Sequence, residues 1–165
     1  MSADGVTVVM PAYRAERTVA RAVESVLAQT GEPRLVVVVD GDLDRTAEIV
    51  RGFGSDRIML LVNDTNMGAQ HTRNRGLEQV GTPYVMFLDS DDYLDGPLLS
   101  GLAAALERDG ADVAFGPYRM ENADTGALQR SAVPDFASSR EVFLRWFGYK
   151  GWESPRSDMV PPCAV

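Results

Sequence analysis

Short β-branched runs alternate with longer amphipathic stretches along most of the chain, and that alternation restricts the fold more than any other feature. Val6 to Met10 (VTVVM) reads as a buried strand stopped by Pro11. From Ala15 to Ala28, the apolar residues Val19, Ala22, Val23, Val26 and Leu27 recur at helical spacing. Gly31 and Pro33 break the chain before a second strand, Leu35 to Val39 (LVVVV). A short helix is expected next, with Asp42 or Asp44 as N-cap and Ile49 and Val50 facing inward. Ile58 to Val62 reads as a third strand, Gly68 to Val80 as a third helix and Tyr84 to Leu88 (YVMFL) as a fourth strand. A helix from about Asp95 to Glu107 follows, started by Asp95-Gly96-Pro97. Val113 to Phe115 reads as a further strand, Tyr118 to Glu121 as its extension or partner, and Asn122 to Gly126 as a turn. Ser138-Ser139-Arg140-Glu141 resembles a capping box ahead of a helix to about Phe147. Strands alternating with helices imply βαβ units and a mostly parallel sheet covered on both faces.

Composition removes several functional classes. The 165 residues carry 16 Lys+Arg against 24 Asp+Glu, a net charge of −8, which argues against a nucleic-acid binder. One cysteine, Cys163, leaves no disulfide framework and no cysteine-rich zinc site. No apolar run approaches the ~20 residues that span a bilayer, and the first residues, Met-Ser-Ala-Asp-Gly, lack the basic head and apolar stretch of a secretory signal. The expectation is a soluble cytoplasmic protein built around one domain.

Ligands of parallel α/β sheets bind beyond the carboxyl ends of the strands. Strand one ends in Pro11-Ala12-Tyr13-Arg14, strand two in Asp40-Gly41-Asp42-Leu43-Asp44, and strand four in Asp89-Ser90-Asp91-Asp92. Three segments thus bring an aromatic ring and several carboxylates to one rim. Converging carboxylates repel one another unless a cation joins them. Mg²⁺ or Mn²⁺ suits such a rim, because it takes one or two carboxylates and fills its shell with water and phosphate oxygens. With Arg73 as a further cation, the spacing points to a metal-dependent nucleotide-diphosphate site. Asp42 and Asp44 are explained as helix caps and stay outside it. His71, the single histidine, has no evident catalytic partner and reads as a helix surface residue.

Competing motifs fail on spacing. An EF-hand loop from Asp89 needs Gly and Glu where Leu94 and Ser100 stand, and one from Asp40 meets Arg45 and Arg51 instead. Neither a Gly-x-Gly-x-x-Gly turn, a P-loop Gly-Lys-Ser/Thr nor a Gly-x-Ser-x-Gly elbow occurs.

Four stretches in register carry a family resemblance: VTVVMPAYRAERTVARAVESVLAQT (6–30), VVVVDGDLDRTAEIV (36–50), NMGAQHTRNRG (66–76) and YVMFLDSDDYL (84–94). They resemble family 2 of the glycosyltransferases, inverting enzymes of the GT-A fold. The resemblance implies an α/β sandwich of αβα type around a mostly parallel, Rossmann-like sheet. Residues 1–116 would be the donor-binding half and 117–165 the start of the acceptor side. It implies that Pro11, Ala12 and Tyr13 lie in the loop bordering the nucleobase, with Tyr13 against the ring. Glu16 matches a frequent acidic position there, and Asp40 the carboxylate that accepts the base's ring N–H. Arg73 matches the basic residue near the phosphates. Asp89-Ser90-Asp91 looks like the Asp-x-Asp motif, Asp89 towards the ribose and Asp91 towards a Mg²⁺ or Mn²⁺ on the diphosphate.

Some positions depart from the family pattern. Arg14 stands where Asn is common, Val39 where an Asp often precedes Asp40, and Thr72 where Ala usually precedes Arg73. The tail Met159 to Val165 resembles the approach to a further strand, and no residue has the pattern of the family's catalytic base, which is therefore expected beyond Val165. The implied activity is metal-dependent sugar transfer from a nucleotide-diphosphate sugar, UDP-linked by preference, to a glycan, lipid or protein acceptor. The alternative is a non-catalytic nucleotide-sugar-binding domain. Any association with the inner face of the membrane would come from sequence outside this chain.

Overall fold

The computed structural model describes residues 5–116, 118–122 and 125–130. The chain divides into a compact unit reaching Ala114 and a second unit beginning at Phe115. In the first unit the elements run β1 (Val6–Ala12), α1 (Val19–Leu27), β2 (Arg34–Asp40), α2 (Thr46–Gly52), β3 (Ile58–Asn63), α3 (Ala69–Leu77), β4 (Tyr84–Phe87) and α4 (Leu98–Asp109). All four strands are parallel, in the order β3-β2-β1-β4. The expected α/β architecture with a parallel central sheet is what the chain adopts.

The pleat sorts the strand residues between two faces. Val8, Met10, Ala12, Leu35, Val37 and Val39 join one core with Val19, Ala22, Val23 and Val26 of α1, Ala47 and Val50 of α2, and Leu99 of α4. Val9, Val36 and Val38 form the core of the opposite face. There α3 lies close to β1 and β2, because Gly76 presents no side chain to Val9 and Val38. Strands buried on both faces read as unbroken Val runs, which is why VTVVM and LVVVV are so apolar.

Several element boundaries differ from expectation. β1 does not stop at Pro11 but runs through it to Ala12, pairing with β2 as far as Ala12↔Val39. β1 pairs with β4 only to Val9↔Phe87, with a last bond from Leu88 N–H to the Val9 carbonyl at 3.1 Å. In a strand every second residue points its backbone groups to the same side, so the N–H that Pro11 lacks would face a gap that β4 has already left. α1 begins at Val19 rather than Ala15; the Ala15 and Glu16 N–H groups are instead bonded to Thr46 at the start of α2 and to Asp44 just before it. Asp44 does serve the start of α2, its Oδ1 accepting the Thr46 N–H at 2.9 Å. Residues 113–115 form no strand, and Val113 is exposed.

In the second unit, β5 (Arg119–Glu121) and β6 (Leu128–Arg130) pair antiparallel. Where the sequence places a turn over Asn122–Gly126, the Gly126 N–H donates to the Asn122 carbonyl at 2.8 Å. The helix expected after Ser138 lies outside the described residues. Among the described residues, no helix is long and apolar enough to cross a membrane.

Candidate functional site

The chain steps outward from β1 to β2 to β3, then returns to place β4 on the other side of β1. Where strand order reverses in this way, the loops leave in opposite directions and a crevice opens at the carboxyl ends. Here the reversal falls between β1, which continues to Ala12, and β4, which ends at Phe87. Tyr13 follows the first strand and Asp89 follows the second. Pro11 and Ala12 are buried strand residues rather than loop residues, so Tyr13, 45% exposed, is the first side chain free of the sheet. The Arg14 guanidinium stands 5.4 Å from the centre of its ring.

Asp89 to Asp92 form a tight turn closed by the Asp92 N–H on the Asp89 carbonyl at 3.0 Å, which puts Ser90 and Asp91 at its corners. Arg73 reaches over from α3 and donates to Asp89 Oδ1 at 2.5 Å, both side chains about one-third exposed. The strand-end carboxylate and the cation expected beside it are therefore in contact. Asp91 is exposed. Asp92 is half-buried, and its carboxyl is pushed up to about 6, first by burial and then by the charges of Asp91 and Asp89. Three carboxylates within one turn carry more negative charge than Arg73 offsets. Among the described residues no three His, Cys, Asp or Glu side chains converge into a ready cage for an ion. A cation that relies on one or two carboxylates and on phosphate oxygens still suits this donor set.

Asp40 is placed differently from an open base-binding carboxylate. It is 3% exposed; Oδ1 accepts from Asn63 Nδ2 at 2.7 Å and Met67 N–H at 2.8 Å, and Oδ2 accepts from Gly68 N–H at 2.8 Å. Burial alone would raise its carboxyl, but donors from Asn63, Met67, Gly68 and Thr72 outweigh that and hold it below the usual range. Asp40 thus fixes the loop between β3 and α3. Arg75 completes the network from the same helix, donating to the Val62 carbonyl at 2.8 Å and to Asn63 Oδ1.

Glu16 also turns away from the crevice, towards α2. Its Oε2 accepts the Arg45 N–H at 3.2 Å, while its own N–H donates to Asp44 Oδ2 at 3.2 Å. Thr46, fully buried, accepts the Ala15 N–H on its hydroxyl at 2.9 Å. These bonds clasp the loop after β1 to the loop after β2. Asn63 and Thr46 were missed by sequence reasoning, because an isolated Asn or Thr beside a helix carries no signal beyond its cap preference.

The description Glycosyl transferase family 2 matches residues 7–159. The chain belongs to this family. It is 33% identical over 125 residues to glycosyltransferase GlyA of Streptococcus pneumoniae, across 74% of this chain and 18% of that protein. It is 33% identical over 118 residues to WfgD of Escherichia coli, a UDP-Glc:alpha-D-GlcNAc-diphosphoundecaprenol beta-1,3-glucosyltransferase, across 71% of this chain and 47% of that one. Among solved structures, Staphylococcus aureus TarS 1-349 in complex with UDP-GlcNAc matches at TM-score 0.62 and 30% identity, over 68% of this chain and 33% of that chain. The family 2 chain described here therefore spans less than half the length of each of these three proteins.

Proposed function

We propose that this chain is the donor-binding half of an inverting glycosyltransferase that moves a sugar from a nucleoside-diphosphate sugar, UDP-linked, to an acceptor hydroxyl with Mg²⁺ or Mn²⁺. The observation that carries this reading is the Asp89–Asp92 turn beside the open end of β1, with Arg73 bound to Asp89. In this reading Tyr13 lies against the base. Asp40, buried and already met by its own donors, serves the base side of the site by holding the loop between β3 and α3. Asp89 faces the ribose, Asp91 holds the cation, Ser90 stands between them in the turn, and Pro11 and Ala12, buried in β1, support the site from beneath. When bound, the cation supplies positive charge against the departing diphosphate. Arg73, already at the turn, adds a second positive group on the same side. The acceptor oxygen attacks the anomeric carbon from the opposite face as the bond to the phosphate oxygen breaks, which inverts that carbon. UDP-GlcNAc on TarS and UDP-Glc in the name of WfgD support uridine as the nucleoside.

A donor-binding module without catalysis is the competing class. Calorimetric titration with UDP, with Mn²⁺ and with EDTA, tests the site. Mn²⁺ should strengthen binding, and Asp91→Ala should abolish that gain while far-UV circular dichroism stays unchanged. Equal UDP affinity in Mn²⁺ and EDTA, or a full gain in Asp91→Ala, refutes the assignment. Sugar transfer or donor hydrolysis by this chain excludes the binding-module reading.

A further inference from the structure

Along α1 and just past its end, three polar side chains stand four residues apart: Arg21, Ser25 and Gln29. That interval places them in a line along one side of a helix. All three meet the segment that leaves the Asp89–Asp92 turn. The Arg21 guanidinium lies over the Tyr93 ring, 3.6 Å from its centre. Ser25 Oγ accepts the Leu94 N–H at 3.0 Å while donating to the Ala22 carbonyl at 2.7 Å. Gln29 is 7% exposed and has its whole hydrogen-bonding capacity used. Its Nε2 donates to the Gly96 carbonyl at 2.7 Å and the Ser25 carbonyl at 3.3 Å, and its Oε1 accepts from Leu98 N–H at 2.9 Å and Leu99 N–H at 3.2 Å.

The last two bonds revise how α4 begins. The sequence suggests that Asp95-Gly96-Pro97 starts this helix locally, but Pro97 stands at the N-cap position and makes no capping bond. The first N–H groups of α4 are satisfied by Gln29, which comes from 69 and 70 residues earlier in the chain. The carboxylate turn therefore sits between two anchors. Upstream, β4 is paired to β1; downstream, residues 93–99 are fastened to α1 and to Gln29 just past its end.

We propose that Arg21, Ser25 and Gln29 are positioning residues that set the carboxylates of the Asp89–Asp92 turn for the donor diphosphate and its cation. They touch neither; they act by fixing the backbone on the downstream side of the turn. This rests on reading that turn as the diphosphate site. Support of this remote kind matters because a hard divalent cation tolerates little error in its oxygen geometry. Outer partners that orient metal ligands change metal affinity by roughly 10–100-fold when removed.

The test is a Mn²⁺ titration at saturating UDP, with free Mn²⁺ read by electron paramagnetic resonance, on the wild-type chain, Gln29→Leu, Gln29→Glu and Ser25→Ala. Gln29→Leu keeps the bulk of the side chain and removes all four bonds. It should raise the half-saturating Mn²⁺ concentration roughly tenfold, at the low end of that range. Gln29→Glu retains the acceptors for Leu98 and Leu99 and should fall between Gln29→Leu and wild type. Ser25→Ala removes a single bond to the segment and should move in the same direction, which keeps the test decisive if Gln29→Leu fails to fold. Variants that melt earlier yet half-saturate at the wild-type Mn²⁺ concentration overturn the proposal, because they show a contribution to stability alone. A wild-type chain that takes up no Mn²⁺ with UDP refutes the donor-site reading instead.

Discussion

Gly76 offers a sharp test of how α3 is held on the sheet. A methyl group added there would stand 2.4 Å from Val9 Cγ1 and 3.2 Å from Val38 Cγ2. Carbon atoms rest about 3.5–4.0 Å apart, so Val9 or the helix must move by ~1 Å or more. Val9 is completely buried in a central strand, and a β-branched side chain has few rotamers into which it can retreat. Overpacking of this kind costs ~1–3 kcal/mol. Against it, alanine gains about 1 kcal/mol over glycine within a helix. A clash this short belongs near the upper end of the range, so Gly76→Ala should lose about 2 kcal/mol and roughly 4–8 °C in Tm. Val9→Ala removes the obstructing methyls. In that background the Val38 contact needs only a slight shift, and Gly76→Ala should instead stabilise by up to ~1 kcal/mol. The coupling between the two positions then comes to about 3 kcal/mol, at the top of what double-mutant cycles return for touching residues. Urea unfolding of the four proteins, followed by far-UV circular dichroism, measures it. The same loss in both backgrounds refutes close approach to Val9 as the reason for glycine.

Two further predictions concern charge. The Asp92 carboxyl stands at about 6 instead of 3.8, so its contribution to stability is present below about pH 4 and lost as pH rises through about 6. That difference is worth ~3 kcal/mol in full and about 1–2 kcal/mol after solvent screening at this half-buried site. Asp92→Asn should therefore stabilise the metal-free chain by that amount at pH 7 and by little at pH 4; a gain equal at both pH values in EDTA contradicts the assignment. Asp40 has the opposite sign: its carboxyl is held below 3.8, so its contribution is present above that value and lost as pH falls through the lowered one. Asp40→Asn sets an amide donor against one of the donors it now accepts from, which should cost ~1–3 kcal/mol at pH 7 and flatten the loss of stability below pH 4. Unfolding curves between pH 2 and 7 that run parallel for the two proteins contradict it.

The strands were legible because burial on both faces demands β-branched runs, and VTVVM and LVVVV satisfy that demand plainly. Their ends were less so. Proline ordinarily stops a central strand, and only the early departure of β4 makes Pro11 acceptable. The Val113–Phe115 reading failed because a short apolar triplet has no strand to pair with unless topology supplies one. At the candidate site, strand-end reasoning placed Asp89 on the rim and Arg73 was added to it as a cation from the following helix; the two meet. The surroundings of Asp40 and Glu16 were not readable. Each is defined by partners 23 to 29 residues distant, and spacing does not encode which way a carboxylate turns. Gln29 was invisible for the same reason. A glutamine near a helix end looks like solvent-facing surface until its four partners are seen.

The buried Asp40 clasp has a consequence for how specificity can change. Because Met67 and Gly68 are tied to the frame through backbone N–H groups, their loop is ordered before any ligand arrives, and binding does not have to supply that ordering. The tether ignores what the Met67 side chain is, and Tyr13, Leu43 and Met67 are all exposed on neighbouring loops. Those three outward groups can be exchanged while the scaffold that presents them stays unaltered.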